Sequence, residues 1–539
     1  MSSAYILSLL EYFKLRWKSL KIYISIRYLG NQMASDKSNT YNKINKLPKE
    51  LGIIEVIILA LQATVGTGVF FATLSSTVIA GPASVISWLI AGLMFLIVVL
   101  NVADLTIKFP EAGAPARFSA YTHGDFTNLI NSVANLIWYL FIPPIEALAA
   151  VEALNYLYPK FITQTGYPSL LGALVGVLLV IVFGIINYMG SRFLGRFSVI
   201  FGIIKLSMYI IVVSVFLILL FNINNFSINK GFLPYGISSV FLAVPVTLFS
   251  FGFSRVIADY AEEIKDISLV FKIYFGAVIF NIIITILYDF AFIGAINWSK
   301  LGLPSGSWND LISIHTNPFI LFAEGYPLLL LLVIITATIG PSGEGYIYLG
   351  AGSRVLFSMA RSKYINSTFE AIHVKYKIPY KAILAFTLLG SVITFISAPL
   401  PNIYSLMTDA VVGGYLGYAF ATISQGSLTY NNKKFKAILS YLGFIVASLI
   451  LYWSGWPALP YGILLVSILT VIFSIMYKVY SNIKNSIWAI VFMLWLTILT
   501  YIGSVGALNI IQFYIGNILN IIVSTLIYLW GIKSAINMN

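Results

Sequence analysis

Fourteen apolar stretches dominate this chain, most of them twenty residues or longer. They fall near 52–80, 84–107, 128–158, 168–189, 194–222, 238–262, 268–296, 326–359, 380–398, 402–425, 436–454, 457–478, 485–506 and 508–532. About 20 apolar residues is the length a helix needs to cross roughly 30 Å of hydrocarbon. A backbone in lipid must satisfy its own polar groups, so runs of this length are read as helices. The predicted class is an all-α integral membrane protein of about 14 transmembrane helices. With 59% hydrophobic and 9% charged residues, the chain cannot be a soluble globule, for which about 25% charged is usual.

Charge sets the expected topology. Of the 32 Lys and Arg, all but Lys160, Lys230, Lys300 and the mid-segment Lys205 lie in the termini and in the loops on the N-terminal side. That side includes Arg192, Arg196, Arg354, Arg361, Lys363 and the Lys433-Lys434-Phe435-Lys436 cluster. The bias places both termini in the cytoplasm, and an even number of spans agrees. The net charge of +13 is therefore read as topology rather than a nucleic-acid footprint. With no cysteine, and with His123, His315 and His373 at no metal-ligand spacing, no metal or cofactor is expected. The expected partners are a small-molecule substrate, protons and the lipid bilayer.

Residues 1–50 read as a cytoplasmic leader. Within it, 1–32 is too charged to span and carries no cleavage site. It either lies on an anionic membrane surface as an amphipathic helix or precedes a true start at Met33.

Two segments carry breaks. The first holds Gly66-Thr67-Gly68 at its middle, residue types that cost up to about 1 kcal/mol each in a helix. Segment 6 holds Gly252 between aromatics, downstream of Pro245. These segments hold corresponding places in two halves of five. Segments 3 and 8 also match, through Pro143-Pro144 and Gly340-Pro341. Interrupted spans in matched positions point to a binding site at mid-membrane, where a half-helix N-terminus can hold an anion. Small residues that let helices pack closely are the alternative.

Several of these motifs resemble the amino acid–polyamine–organocation (APC) permeases. Gly66-Thr-Gly-Val-Phe-Phe71 followed by Ala80-Gly81-Pro82 looks like their first span and outer turn. Lys108-Phe-Pro-Glu-Ala-Gly-Ala114 resembles their Pro-x-x-Gly-Gly loop, with Ala114 at the second Gly. Ala261-Glu262-Glu263-Ile-Lys265-Asp266 is similar to their Glu-Glu-x-Lys-Asn-Pro, without the Asn-Pro. Ser353-Arg354-Val-Leu-Phe-Ser-Met359-Ala-Arg361 matches the end of their span 8. The matches run in order across roughly residues 50–430.

The resemblance implies a five-plus-five inverted-repeat transporter fold (LeuT-like) over 51–430, unwound in spans 1 and 6. Residues 431–539 would add four helices. It implies that amides around Val65, Gly66, Thr67 and Gly68 bind a substrate carboxylate. Carbonyls near Phe249, Ser250, Phe251 and Gly252 would take its ammonium, and Phe251 and Phe253 would gate it. The function implied is secondary transport of amino acids or related amines across the cell membrane. Exchange driven by substrate gradients, or nutrient sensing on the same fold, is the alternative. Enzyme chemistry has little support, because the loop near 297–325 holds Asp310, His315 and Glu324 in no recognisable arrangement.

Ionisable groups at membrane depth are costly and so functional by default. Three lie near mid-depth: Lys205, Glu146 and Glu344. Phe197-x-x-x-Phe-Gly-Ile-Ile-Lys205 resembles the fifth span of family members that place a Lys beside span 1, which makes these three the proton-coupling candidates. A permanent Lys205–Glu344 pair is the competing reading. Asp104, Asp289 and Asp409 lie nearer the interfaces, where they would snorkel or cap.

Overall fold

Each apolar segment becomes helical because only a helix closes its own hydrogen bonds in hydrocarbon. The computed structural model describes residues 46–314, 317–398, 400, 409, 411–429 and 434–536, without the side chains of Thr67, Phe249, Phe253, Ser254 and Arg255. The leader up to residue 45, including Met33, lies outside them. Lys49–Asn539 forms one compact unit; of Met1–Pro48 only the last three residues are described.

In chain order, α1 (Ile53–Gln62) and α2 (Thr67–Ala80) are the halves of the first segment, and α3 (Ser84–Lys108) follows. Next come α4 (Asp125–Leu154), α5 (Leu170–Tyr188) and α6 (Ser191–Leu219). The sixth segment divides into α7 (Ile237–Leu248), a 3₁₀ turn (Phe249–Phe251) and α8 (Phe253–Asp259). Then follow α9 (Val270–Ala295), α10 (Pro327–Arg361), α11 (Tyr380–Ser397) and α12 (Leu416–Thr429). The C-terminal set is α13 (Lys434–Trp453), α14 (Ala458–Tyr477), α15 (Ile487–Ile502) and α16 (Phe513–Lys533).

Among the described residues, eleven helical stretches are long and apolar enough to cross a membrane. The sequence expects fourteen. The differences have physical causes: the broken segments yield short halves, and Gly68–Lys108 runs on as one apolar stretch through the turn at Gly81. The segment near 402–425 also extends into residues outside the described set. Pro143, Pro144 and Pro341 lie inside continuous helices, so the matched prolines of segments 3 and 8 do not break them.

The centre of the bundle is α4, 89% of whose apolar window is buried, against 33–39% for α5, α6, α11, α14 and α16. Along α10, glycines bring neighbouring helices into contact. A Cβ on Gly345 would stand 2.2 Å from the Phe183 ring, and one on Gly350 2.0 Å from both Asn187 and the Tyr260 hydroxyl. Gly413 and Gly462 let segment 10 and α14 touch backbone to backbone. The last four helices pack onto this core through polar points. Lys436 pairs with Asp104, which also accepts from Gln425 at 2.6 Å. His123, just before α4, bonds to Gly531 of α16 at 2.9 Å.

Candidate functional site

The first break spans residues 63–66. Gly66 leaves the helical region (φ −132°, ψ −137°), and the amides of Thr64 and Val65 make only long contacts of 3.4 and 3.5 Å to Leu61 and Gln62. Three carbonyls of this stretch accept instead from side chains of other helices. Lys205 of α6 donates its ammonium to the Gln62 carbonyl at 2.8 Å. Tyr348 of α10 donates to Ala63 and Tyr209 of α6 to Gly66, each at 3.3 Å. Gln62 ends α1, where the macrodipole is negative, so a cation fits there. Its side chain is fixed too, donating to the Ser198 carbonyl at 2.6 Å and accepting from Tyr346 at 3.0 Å.

Two carboxyls close the same space. Glu344 lies directly against Gly66: an added Cβ would meet its Cδ and Oε2 at 2.2 Å. Glu344 also shares a side-chain hydrogen bond with Glu146 of α4. Both carboxyls act on the charge of Lys205. Yet the ion pairs within 4.0 Å among the described residues do not include Lys205 with Glu344. Lys205, Glu344 and Glu146 thus lie together around the first break, with the ammonium bonded to a helix-end carbonyl.

At the second break the described donors are uncharged. Asn281 of α9 donates to the Ser250 carbonyl at 2.7 Å, and Tyr415 donates to Pro245 at 3.4 Å. The Ser250 hydroxyl is buried without a partner among the described residues. Gly252 faces Trp138, whose ring an added Cβ would meet at 2.6 Å, and the Tyr348 hydroxyl, which it would meet at 3.2 Å. Tyr348 therefore touches both breaks. The Phe251 ring packs 6.3 Å from Trp88 and 5.8 Å from Phe95 of α3 (centroid to centroid). Gly68 lines a cavity of about 480 Å³ together with Phe71, Pro245 and Asp409. This cavity comes from the end of the bundle opposite the basic loops. Asp289 does not snorkel; it is buried and accepts from Ser84 at 2.7 Å.

At the basic end the chain is tied shut. Arg354 forms a fully buried pair with Glu263, with Nη2 to Oε2 at 2.8 Å, and stacks 3.9 Å over the Tyr260 ring. Arg361 holds Glu262 at 2.7 and 3.1 Å. Glu262 also accepts from the Ala112 amide at 2.9 Å, and the Glu263 carbonyl accepts from the Glu50 and Leu51 amides at 2.9 Å. Two motifs far apart in sequence thus form one knot joining the ends of α1, α8 and α10. Sequence reasoning missed Gln62, Tyr209, Tyr348 and Trp138; for Gln62, its place four residues before Gly66 was a usable signal.

Comparison with known proteins gives a consistent picture. Residues 51–535 match the family model described as amino acid permease. The chain is 26% identical over 525 residues to the glutamate/serine transporter AimA of Bacillus subtilis (strain 168), covering 91% of this chain and 95% of that protein. It is 26% identical over 521 residues to the aspartate-proton symporter of the same organism, covering 91% and 97%. The aromatic amino acid transport protein AroP of Escherichia coli (strain K12) is 22% identical over 447 residues, covering 78% and 93%.

Proposed function

This chain belongs to the amino acid permease family, and from that premise we propose that it is a proton-coupled secondary transporter of the cell membrane, working by alternating access. It is a multi-pass membrane permease and not an enzyme, with the LeuT-like fold of its family. The proposal adds the coupling ion, the site and the orientation, with both termini cytoplasmic.

The observation that carries the coupling is the Lys205 ammonium on the Gln62 carbonyl at 2.8 Å. A protonated Lys205 fills the negative end of α1 and satisfies a carbonyl that the break leaves open. Loss of that proton removes the charge at the helix end and leaves Gln62 only the weaker hydrogen bond of a neutral amine. The first half-helix is then free to shift against α6. Protonation and the opening of one face become the same event.

Substrate binding follows from the two breaks. The amides of Val65, Gly66, Thr67 and Gly68, at the N-terminus of α2, suit a carboxylate. The carbonyls of Phe249, Ser250 and Phe251, with Gly252 leaving room beside Trp138, suit an ammonium. A substrate carboxylate at Gly66 would stand beside Glu344, and such neighbours need a proton between them at this depth. The Glu146–Glu344 pair supplies that proton. Phe253 is the proposed gate; a gating role for Phe251 requires its ring to leave Trp88 and Phe95.

Aspartate-proton symport by one relative supports the choice of proton. The test is uptake of labelled amino acids into liposomes containing the purified protein. Accumulation driven by an inward proton gradient, and not by sodium, is the expected outcome. Uptake that only follows a counter-gradient of another amino acid would replace symport with exchange.

A further inference from the structure

A second cavity, of about 400 Å³, adjoins the first along α2, sharing Phe71 and Ser75 with it, at the end of the bundle opposite the basic loops. Its walls are mostly apolar, with Phe71, Leu74 and Leu148 among them, and Ser75, Thr165 and Tyr167 add polar atoms. It holds one charged side chain, Glu152 of α4.

Glu152 is unusually placed. It lies in the last turn of α4, where the macrodipole disfavours an anion. Its Oε1 is buried without a hydrogen-bond partner among the described residues, and no ion pair includes it. The nearby Lys160 is directed elsewhere, with its ammonium 5.6 Å from the Tyr158 ring centroid. A carboxylate left so in an apolar wall is costly unless a cation or donor joins it.

We propose that this cavity is a second binding site, for the ammonium group of a small organic amine or amino acid with a compact apolar body, and that Glu152 is its counter-charge. A bare metal ion fits poorly. The described residues contain no cluster of three or more metal-ligating side chains, and the cavity is many times the volume of an ion. An organic ammonium instead uses both parts of the lining, its charge on Glu152 and its carbon skeleton against Phe71, Leu74 and Leu148. The site is separate from the breaks, and the proposal stands whether or not transport is proton-coupled.

The probes are isopentylammonium chloride and, as the anionic counterpart, sodium isovalerate, titrated calorimetrically into the full chain in nanodiscs. Saturable binding of the amine and none of isovalerate is expected. Glu152→Gln should weaken the amine at least about tenfold, the value of one charge-assisted contact, and Glu152→Asp should weaken it less. Gly66→Ala, which disables the first break, should leave amine binding intact. Elution profile and melting temperature establish that each variant is folded, and Glu152→Asp carries the test if Glu152→Gln does not fold. Absence of saturable amine binding, or equal binding by a folded Glu152 variant, overturns the proposal. Loss of binding in folded Gly66→Ala also overturns it, by placing the amine at the break instead.

Discussion

The two breaks solve one physical problem with different chemistry. Both release backbone carbonyls at a depth where water cannot take them. At the first, the donors are an ammonium and two phenols, with the Glu344 carboxyl packed on the glycine. At the second, they are an amide and a phenol among aromatic rings, both uncharged. On the proposed reading, the first break responds to protons and the second holds the substrate's ammonium through uncharged groups. Tyr348, in contact with both, is positioned to make movement at one felt at the other.

The largest expected effect is at Gly66. In Gly66→Ala the new Cβ would overlap the Glu344 carboxyl at 2.2 Å. Substrate binding should fall below detection in a thermal-shift assay while the protein still elutes as a single species. Restored binding in the Gly66→Ala, Glu344→Ala double variant, without pH dependence, would show that the clash and not the backbone is responsible. Normal binding in the single variant would make the glycine a packing residue and erase the contrast between the breaks.

A second pH-sensitive point must be separated from the first break. His123 is buried, bonded to Gly531 and Thr122, and burial holds its pKa down to about 4 from an ordinary 6.5. The unfolded chain takes up that proton more readily, so the contribution is intact above pH 6.5 and is lost as pH falls toward 4. The loss is on the order of 3 kcal/mol. Melting temperature in wild type should drop over that window, and in His123→Gln the drop should flatten. Coupled transport near neutral pH should be the same in both.

The smallest effect belongs to the second break. Asn281→Ala leaves the Ser250 carbonyl without its 2.7 Å donor, a cost of about 1 to 3 kcal/mol. Apparent substrate affinity should weaken by about tenfold with the proton dependence unchanged. A shift in proton dependence would mean that the second break also carries coupling.

Much of this arrangement was legible in the sequence. Gly66-Thr67-Gly68 and Gly252 mark backbone departures that a chain in lipid tolerates only where other groups compensate. Lys205, Glu146 and Glu344 were exposed by their cost at membrane depth. The Glu262-Glu263 and Arg354…Arg361 motifs were visible separately, but nothing in their spacing joins them; only the fold makes them one knot. Tyr209, Tyr346 and Tyr348 were hidden among 34 tyrosines, because a phenol signals a partner only once that partner's carbonyl is known. The direction of Phe251 was hidden too, since a single 3₁₀ turn decides which helix its ring meets. Pro143, Pro144 and Pro341 sit inside continuous helices, since neighbouring helices can compensate a proline without any unwinding.

Proton flux measured per substrate in liposomes, for wild type and Lys205→Met, bears most directly on the coupling role of Lys205. Methionine keeps the length of the side chain and removes the charge. Wild type should move protons together with substrate and accumulate it when the pH gradient is imposed. Lys205→Met should retain counterflow exchange and much of its melting temperature, because Lys205 is not ion-paired to Glu344, yet lose both proton flux and gradient-driven accumulation. A folded Lys205→Met that still carries protons with substrate at the wild-type ratio would contradict the account and move coupling to the Glu146–Glu344 pair alone.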